Sequence, residues 1–143
     1  MHLDASVSLS FNGECEAAFK VYERLLGAKA ELVITWGASP LAGDVPREWH
    51  KKMLFARLRA QHMTLFGTDI LPGSYRRPTG FNLCLSAADE AEAERFFNEL
   101  AEGGTVGMAL QATFFATRYG EVIDRFGIPW EIRCRGPHGA VNA

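Results

Sequence analysis

Residues 6–27 read Ser6-Val7-Ser8-Leu9-Ser10-Phe11-Asn12-Gly13-Glu14-Cys15-Glu16-Ala17-Ala18-Phe19-Lys20-Val21-Tyr22-Glu23-Arg24-Leu25-Leu26-Gly27. In the first six, Val7, Leu9 and Phe11 alternate with three serines, the period of a strand with one apolar face. From Glu14 the period lengthens. Ala18, Tyr22 and Leu25 form one stripe with Phe19 and Leu26 beside it, and Glu16, Lys20, Glu23 and Arg24 lie largely opposite. That spacing predicts a helix over 14–26, with Asn12 as its N-cap and Gly27 as its stop.

The same design returns downstream. Phe81, Leu83 and Leu85 alternate with Asn82, Cys84 and Ser86, and Ala93, Phe96, Phe97 and Leu100 form a helical stripe over 89–102. Asp89 and Glu90 sit where a helix dipole favours anions, and Gly103-Gly104 ends the run. The first strand matches the second copy at an offset of 76, the helix at 75, and Gly27 falls on Gly103. At the far end His62–Phe66 answers Pro129–Arg133 at an offset of 67. Further strands are expected at 30–36, 53–59, 62–68, 106–111, 114–123 and 128–134, with loops at 37–52 and 70–79. Asp124-Arg125-Phe126-Gly127 predicts a tight turn joining the last two strands as a hairpin. The pattern is strand, helix, three strands, written twice. The expected fold is therefore α+β, one domain over 1–135 made of two βαβββ modules at about 4–69 and 79–135. A sheet face of this size exceeds what one helix covers, so the paired halves are expected to enclose a sheet-lined cleft. Gly136-Pro137-His138-Gly139 reads as part of a C-terminal tail over 136–143, and His2 lies at the opposite end.

Composition bounds the function. The 143 residues are 48% hydrophobic and 22% charged, with 15 basic against 17 acidic side chains and a formal charge of −2. No basic surplus exists to displace counterions from phosphates, and Arg76-Arg77 and Lys51-Lys52 are too short to form a patch, so nucleic acid is excluded as a partner. Uncharged apolar runs fall well short of the ~20 residues that span a bilayer. Met1-His2-Leu3-Asp4 is unlike a secretory signal, so a cytoplasmic location is expected. Cys15, Cys84 and Cys134 are widely spaced and odd in number, which offers neither a disulfide framework nor a CxxC metal knuckle. Cys84 and Cys134, inside strand-like runs, read as packing residues.

Residues 10–27 resemble the first strand and helix of PhnB-like proteins, a branch of the vicinal-oxygen-chelate superfamily of glyoxalase I, bleomycin-resistance proteins and extradiol dioxygenases. The likeness continues through Pro46-Arg47-Glu48-Trp49, Leu71-Pro72-Gly73 and Phe97-Asn98-Glu99-Leu100-Ala101-Glu102-Gly103-Gly104. It is most specific in Thr113-Phe114-Phe115-Ala116-Thr117-Arg118-Tyr119-Gly120 followed by Val122–Trp130. It implies paired βαβββ modules, a cleft that binds a small-molecule ligand, and a homodimer. Members of this branch carry a demethylubiquinone methyltransferase-like label, but no Gly-rich loop follows a strand here to hold S-adenosylmethionine.

In the superfamily's metal enzymes, the first and fourth strands of each module supply His and Glu ligands to a divalent ion. The resemblance puts Ser6 or Val7, Thr64 or Phe66, Asn82 or Phe81, and Glu131 at those positions. The register with Ser6, Thr64, Asn82 and Glu131 facing the cleft places Leu9, Leu65, Leu83 and Ile132 against the helices, and Ser8 shares the face of Ser6. Glu131 is then the one strong ligand, so no cofactor is expected and a tightly held metal is disfavoured. His62 alternates onto the face of Thr64 and is the one imidazole near. Glu131 is either a general base with its pKa raised by an apolar cleft or a partner of Arg133 or Arg118 on the sheet. A second cluster, Gln111, Phe114, Phe115, Arg118, Tyr119 and Asp124, suits a planar or anionic ligand. Alternatively Phe114 packs in the core and Asp124 caps its turn. Trp36 and Trp49 flank the first loop, as a lid, as anchors or at a dimer contact, and His50 has no partner visible in the sequence. Two functions follow: a protein that sequesters a ligand without a complete metal site, or a glyoxalase-like enzyme acting through Glu131 or a weakly held ion.

Overall fold

A computed structural model describes residues 3–135. The expected tail at 136–143, with His138, and His2 at the other end lie outside the described residues. The chain divides into two compact units, residues 1–76 and 77–143. Unit 1 runs β1 (Val7–Phe11), α1 (Cys15–Leu26), β2 (Ala30–Thr35), two single 3-10 turns at Ala42–Asp44 and Arg47–Trp49, β3 (Met53–Arg59) and β4 (Thr64–Asp69). Unit 2 runs β5 (Leu83–Ala87), α2 (Glu90–Ala101), β6 (Thr105–Gln111), β7 (Arg118–Ile123) and β8 (Pro129–Cys134). Each forms one four-stranded sheet, in the orders β1-β4-β3-β2 and β5-β8-β7-β6. First and last strands pair in parallel, and the remaining neighbours are antiparallel.

Alternation decides which face meets the helix. In unit 1, Leu9 and Phe11 of β1, Ala56 and Leu58 of β3 and Leu65 of β4 are buried with Ala18, Phe19, Tyr22 and Leu25 of α1. In unit 2, Leu83 and Leu85, Trp130 and Ile132, and Val122 are buried with Ala93, Phe96, Phe97 and Leu100 of α2. Each large apolar side chain removed from water in this way contributes about 1.5–3 kcal/mol. Leu9, Leu65, Leu83 and Ile132 thus occupy the helix side, as the period-two pattern requires. Two glycines let the helices approach. A Cβ at Gly67 would lie 2.7 Å from Cys15 Sγ and the Phe19 ring, and one at Gly120 would lie 2.9 Å from the Phe97 ring.

The internal repeat holds with one adjustment. Phe11 pairs with Asp69 and Ala87 with Cys134, while Leu9 pairs with Gly67 and Leu85 with Ile132. The first strands correspond at 76, but the fourth strands correspond at 65 (Gly67 to Ile132, Asp69 to Cys134), not at the expected 67. Phe66, rather than Thr64, is therefore the counterpart of Glu131.

Local chemistry explains the displaced boundaries. Asn12 does not cap α1; Asp69, from the end of β4, accepts from the Cys15 amide at 2.9 Å instead. Its other oxygen accepts from the Met53 amide at 2.8 Å, so one buried carboxylate fastens the starts of α1 and β3. Asp89 caps α2, accepting from the Glu92 amide at 2.8 Å. Gly27 ends α1 in the left-handed conformation, φ 64°. β7 begins at Arg118 rather than at 114, because Thr113 Oγ1 accepts from the amides of Phe115 and Ala116 and folds 113–116 into a turn. Phe114, which one reading placed in the core, is 91% exposed as a result. The Asp124–Gly127 turn joins β7 to β8 as expected. Asp124 accepts from the amides of Phe126 and Ile128 and from Trp130 Nε1, the last at 2.9 Å.

Candidate functional site

On β5, β8 and β7 the side chains that alternate away from α2 converge on Glu131. Cys84 stands directly opposite it on β5 and Glu121 opposite it on β7, and Tyr119 faces Arg133 two pairs further along, on the same face. Cys84 Sγ donates to Glu131 Oε1 at 2.6 Å, Arg133 Nη2 to the same oxygen at 2.9 Å, and the Tyr119 hydroxyl to Oε2 at 2.6 Å. The Tyr119 oxygen also lies 2.9 Å from Glu121 Oε2. A phenol has one hydrogen, so it serves one of these two carboxylates at a time. Phe115 closes the cluster, its ring edge-on to Tyr119 with centroids 5.0 Å apart and 6.0 Å from the Arg133 guanidinium.

The electrostatics follow from this geometry. Burial alone raises the pKa of Glu131, but donors from Cys84, Tyr119 and Arg133 outweigh it and hold the carboxyl below its ordinary range. This is opposite to the elevated pKa expected of Glu131 as a base in an apolar cleft. Partial desolvation on the sheet face and the adjoining Glu131 carboxylate push the Cys84 thiol up to about 11, so at neutral pH it is a hydrogen-bond donor rather than a thiolate. Burial and the two carboxylates likewise raise Tyr119.

The other expected site residues distribute as follows. Arg133, not Arg118, pairs with Glu131. Arg118 turns to the helix side, with its guanidinium 3.4 Å from Glu90 on α2. Asp124, next to the core indole of Trp130, is also on that side. The expected cluster is thus split by the sheet. Phe115 and Tyr119 stay with Glu131, and Gln111 pairs with Tyr119 in the ladder, its side chain bonded to the Ala109 carbonyl. Asn82 precedes β5 and falls at the level of Pro129, so Cys84 rather than Asn82 is the β5 neighbour of Glu131. Cys84 is exposed, not packed; Cys15 and Cys134 are buried, and all three are free. The sequence did carry this signal, because Cys84 is in phase with Ser86 and out of phase with Leu83 and Leu85.

The corresponding face of unit 1 is chemically different. Ser8 stands opposite Phe66, the counterpart of Glu131, and Phe66 packs against Phe55 with the rings tilted by 42° and centroids 5.4 Å apart. Ser6, one residue before β1, falls at the level of Thr64. His62 lies in the β3–β4 turn, closed by Ala60 N to Met63 O at 2.8 Å, rather than on the strand. The loop between β2 and β3 is pinned to its own unit. Trp36 Nε1 donates to Asp69 O at 3.0 Å, His50 Nε2 lies 2.9 Å from Ala42 O, and Lys52 Nζ donates to Gly13 O at 2.8 Å beneath the Trp49 ring. The tryptophans anchor this loop. Among the described residues, no three His, Cys, Asp or Glu side chains gather with metal-binding geometry.

Two βαβββ modules, each a four-stranded sheet with a helix on one face, define the glyoxalase-like class of α+β proteins. The same fold occurs in a glyoxalase/bleomycin resistance protein/dioxygenase family enzyme from Burkholderia phytofirmans PsJN, 12% identical, with a TM-score of 0.65 over 94% of this chain and 100% of that one. Within this class the chain belongs to the PhnB-like family described as 3-demethylubiquinone-9 3-methyltransferase, whose model matches residues 4–133. It is similar to Protein YjdN of Escherichia coli (strain K12), 35% identical over 132 residues, covering 87% of this chain and 90% of that protein. It is also similar to the crystal structure of protein PA1353 from Pseudomonas aeruginosa, 38% identical with a TM-score of 0.85, covering 94% and 98% of the two chains.

Proposed function

We propose that the protein binds a small molecule on the Glu131 face of unit 2 and does so without a complete metal site. The observation that carries this reading is the state of Glu131 itself: both carboxylate oxygens are occupied by donors from its own sheet. A divalent ion needs several oxygen, nitrogen or thiolate ligands with free lone pairs. In unit 2 the first and fourth strands offer Cys84, held as a thiol, and Glu131, and in unit 1 the equivalent positions are Ser8 and Phe66, the latter without a donor atom. The residues do not fit a divalent ion. What the cluster presents is a fixed array of hydrogen-bonding groups beside the half-buried ring of Phe115 and the exposed ring of Phe114, which suits a planar molecule with polar edges.

The test is a thermal-shift screen of metabolites and antibiotics on the wild type and on Glu131→Gln. A planar ligand that stabilises the wild type, loses at least part of that shift in Glu131→Gln and is recovered unchanged supports binding. Unchanged binding in the variant removes Glu131 from the site. The enzymatic alternative keeps Glu131 as general base, but its depressed pKa makes it a weak one near neutrality, which favours binding over proton abstraction.

The reading includes a homodimer and a cytoplasmic setting. Leu32, Val33 and Ile34 on edge strand β2 and Val106 and Met108 on edge strand β6 are exposed apolar side chains of the kind that dimer contacts cover. Three free cysteines suit a reducing compartment, and no helix among the described residues is long and apolar enough to cross a membrane.

A further inference from the structure

Unit 1 carries a polar cavity, of about 550 Å³, at the hairpin end of its sheet. It is built by strand parity. Leu58 on β3 is fully buried against α1, so Arg57 and Arg59 on either side of it both turn to the opposite face. Across the ladder, Thr64 is the partner of Arg59 and Phe66 that of Arg57, and Ser6 comes alongside Thr64 from the approach to β1. The β3–β4 turn brings His62 to the rim.

The pairing of these groups is incomplete. Arg57 is neutralised by Glu31, which accepts from its Nε at 3.1 Å and Nη2 at 2.8 Å. Arg59 has no side-chain partner among the described residues, and neither do the Ser6 and Thr64 hydroxyls or the His62 ring. Asp4 is the one carboxylate on the cavity wall, and it has an interaction of its own. Two guanidiniums two residues apart on one strand face repel each other, and Glu31 relieves one of them. Arg59 thus remains an uncompensated cation beside two hydroxyls, with the Phe66 ring as an apolar floor.

We infer that this cavity is a binding site for the oxyanion group, carboxylate or phosphoryl, of a small molecule whose apolar part rests on Phe66. Arg59 supplies the charge-assisted hydrogen bonds, Ser6 and Thr64 add neutral donors, and Arg57 contributes the guanidinium edge that Glu31 leaves free. The site lies entirely within unit 1 and does not depend on the Glu131 reading.

The experiment is an amide NMR titration of the full chain with inorganic phosphate, benzoate and phenyl phosphate in turn. The proteins are the wild type, Arg59→Ala, Thr64→Val and, as a charge control, Arg95→Ala on α2. Saturable shifts confined to the amides around Arg59, His62 and Thr64 are expected, with about tenfold weaker binding in Arg59→Ala and no change in Arg95→Ala. Response to phosphate but not benzoate assigns the group as phosphoryl, and the reverse assigns it as carboxylate. Phenyl phosphate exceeding phosphate supports the Phe66 floor. Arg59 is exposed, so its variant should retain the wild-type spectrum elsewhere. Shifts that never saturate, or binding equal in wild type and Arg59→Ala, overturn the inference. Glu131→Gln leaves this titration unaltered, so its failure and that of the unit 2 site are separate results.

Discussion

Glu131 shows how a single position changes character with its surroundings. A carboxylate facing an apolar cleft is expected to hold its proton more tightly, but three donors within 2.9 Å reverse the sign. A group whose folded pKa lies below its unfolded value adds stability above the unfolded value, and that stability is lost as pH falls through the folded one. The wild type should therefore exceed Glu131→Gln in urea midpoint near neutrality, and the difference should shrink through the acidic carboxylate range. A constant difference would mean that the donors do not favour the ionised form. Tyr119→Phe deletes the donor to Oε2 and should cost about 1–2 kcal/mol in urea unfolding while moving the Glu131 carboxyl resonance titration upward. Asp124 has a different task. It satisfies two turn amides and the indole of fully buried Trp130, so Asp124→Ala should cost about 3 kcal/mol in the same measurement.

Helix starts differ between the two units in a way that residue identity alone does not announce. α2 is capped locally by Asp89, and Asp89→Ala should cost about 1 kcal/mol. α1 has no local cap and borrows Asp69 from 54 residues away. Asp69→Asn leaves one oxygen to accept, sets its amide donor against the other of the two backbone donors, and should cost more than the Asp89 change, about 2–3 kcal/mol by urea denaturation. Element types were legible because the periods of Ser6–Phe11, Glu14–Leu26 and Asp89–Glu102 are strong, and β3 spans 53–59 as the pattern required. The boundaries that moved did so for side-chain reasons. Thr113 folded 113–116 into a turn ahead of β7, and the Ala60–Met63 turn removed His62 from β4. Gly67 and Gly120 set how closely each helix approaches its sheet. Gly67→Ala should cost about 1–3 kcal/mol, read as a lower Tm, because its Cβ meets Phe19 and Cys15 rather than the end of a flexible chain.

Over the whole molecule, one fold is written twice with different chemistry on equivalent faces. The position of Glu131 in unit 2 is filled by Phe66 in unit 1, and that of Cys84 by Ser8. The first has a knot of carboxylates, phenol, thiol and guanidinium; the second has an aromatic pair bordered by arginines and hydroxyls. The proposed dimer is tested on the exposed edges. Val33→Asp and Met108→Asp should lower the sedimentation coefficient if those strands are covered by a second copy, and leave it unchanged if they are not. The sequence by itself determined the alternation, the helices, the Asp124 turn and the duplication, because these follow from short-range periodicity and from which side chains water expels. The partners of Glu131, the cap of α1, the side taken by Arg118 and the pairing of Ser8 with Phe66 were decided only in the tertiary structure. A two-residue shift of register between strands far apart in the chain keeps each side chain on its face but exchanges its neighbours, and the period-two pattern does not tell the two registers apart.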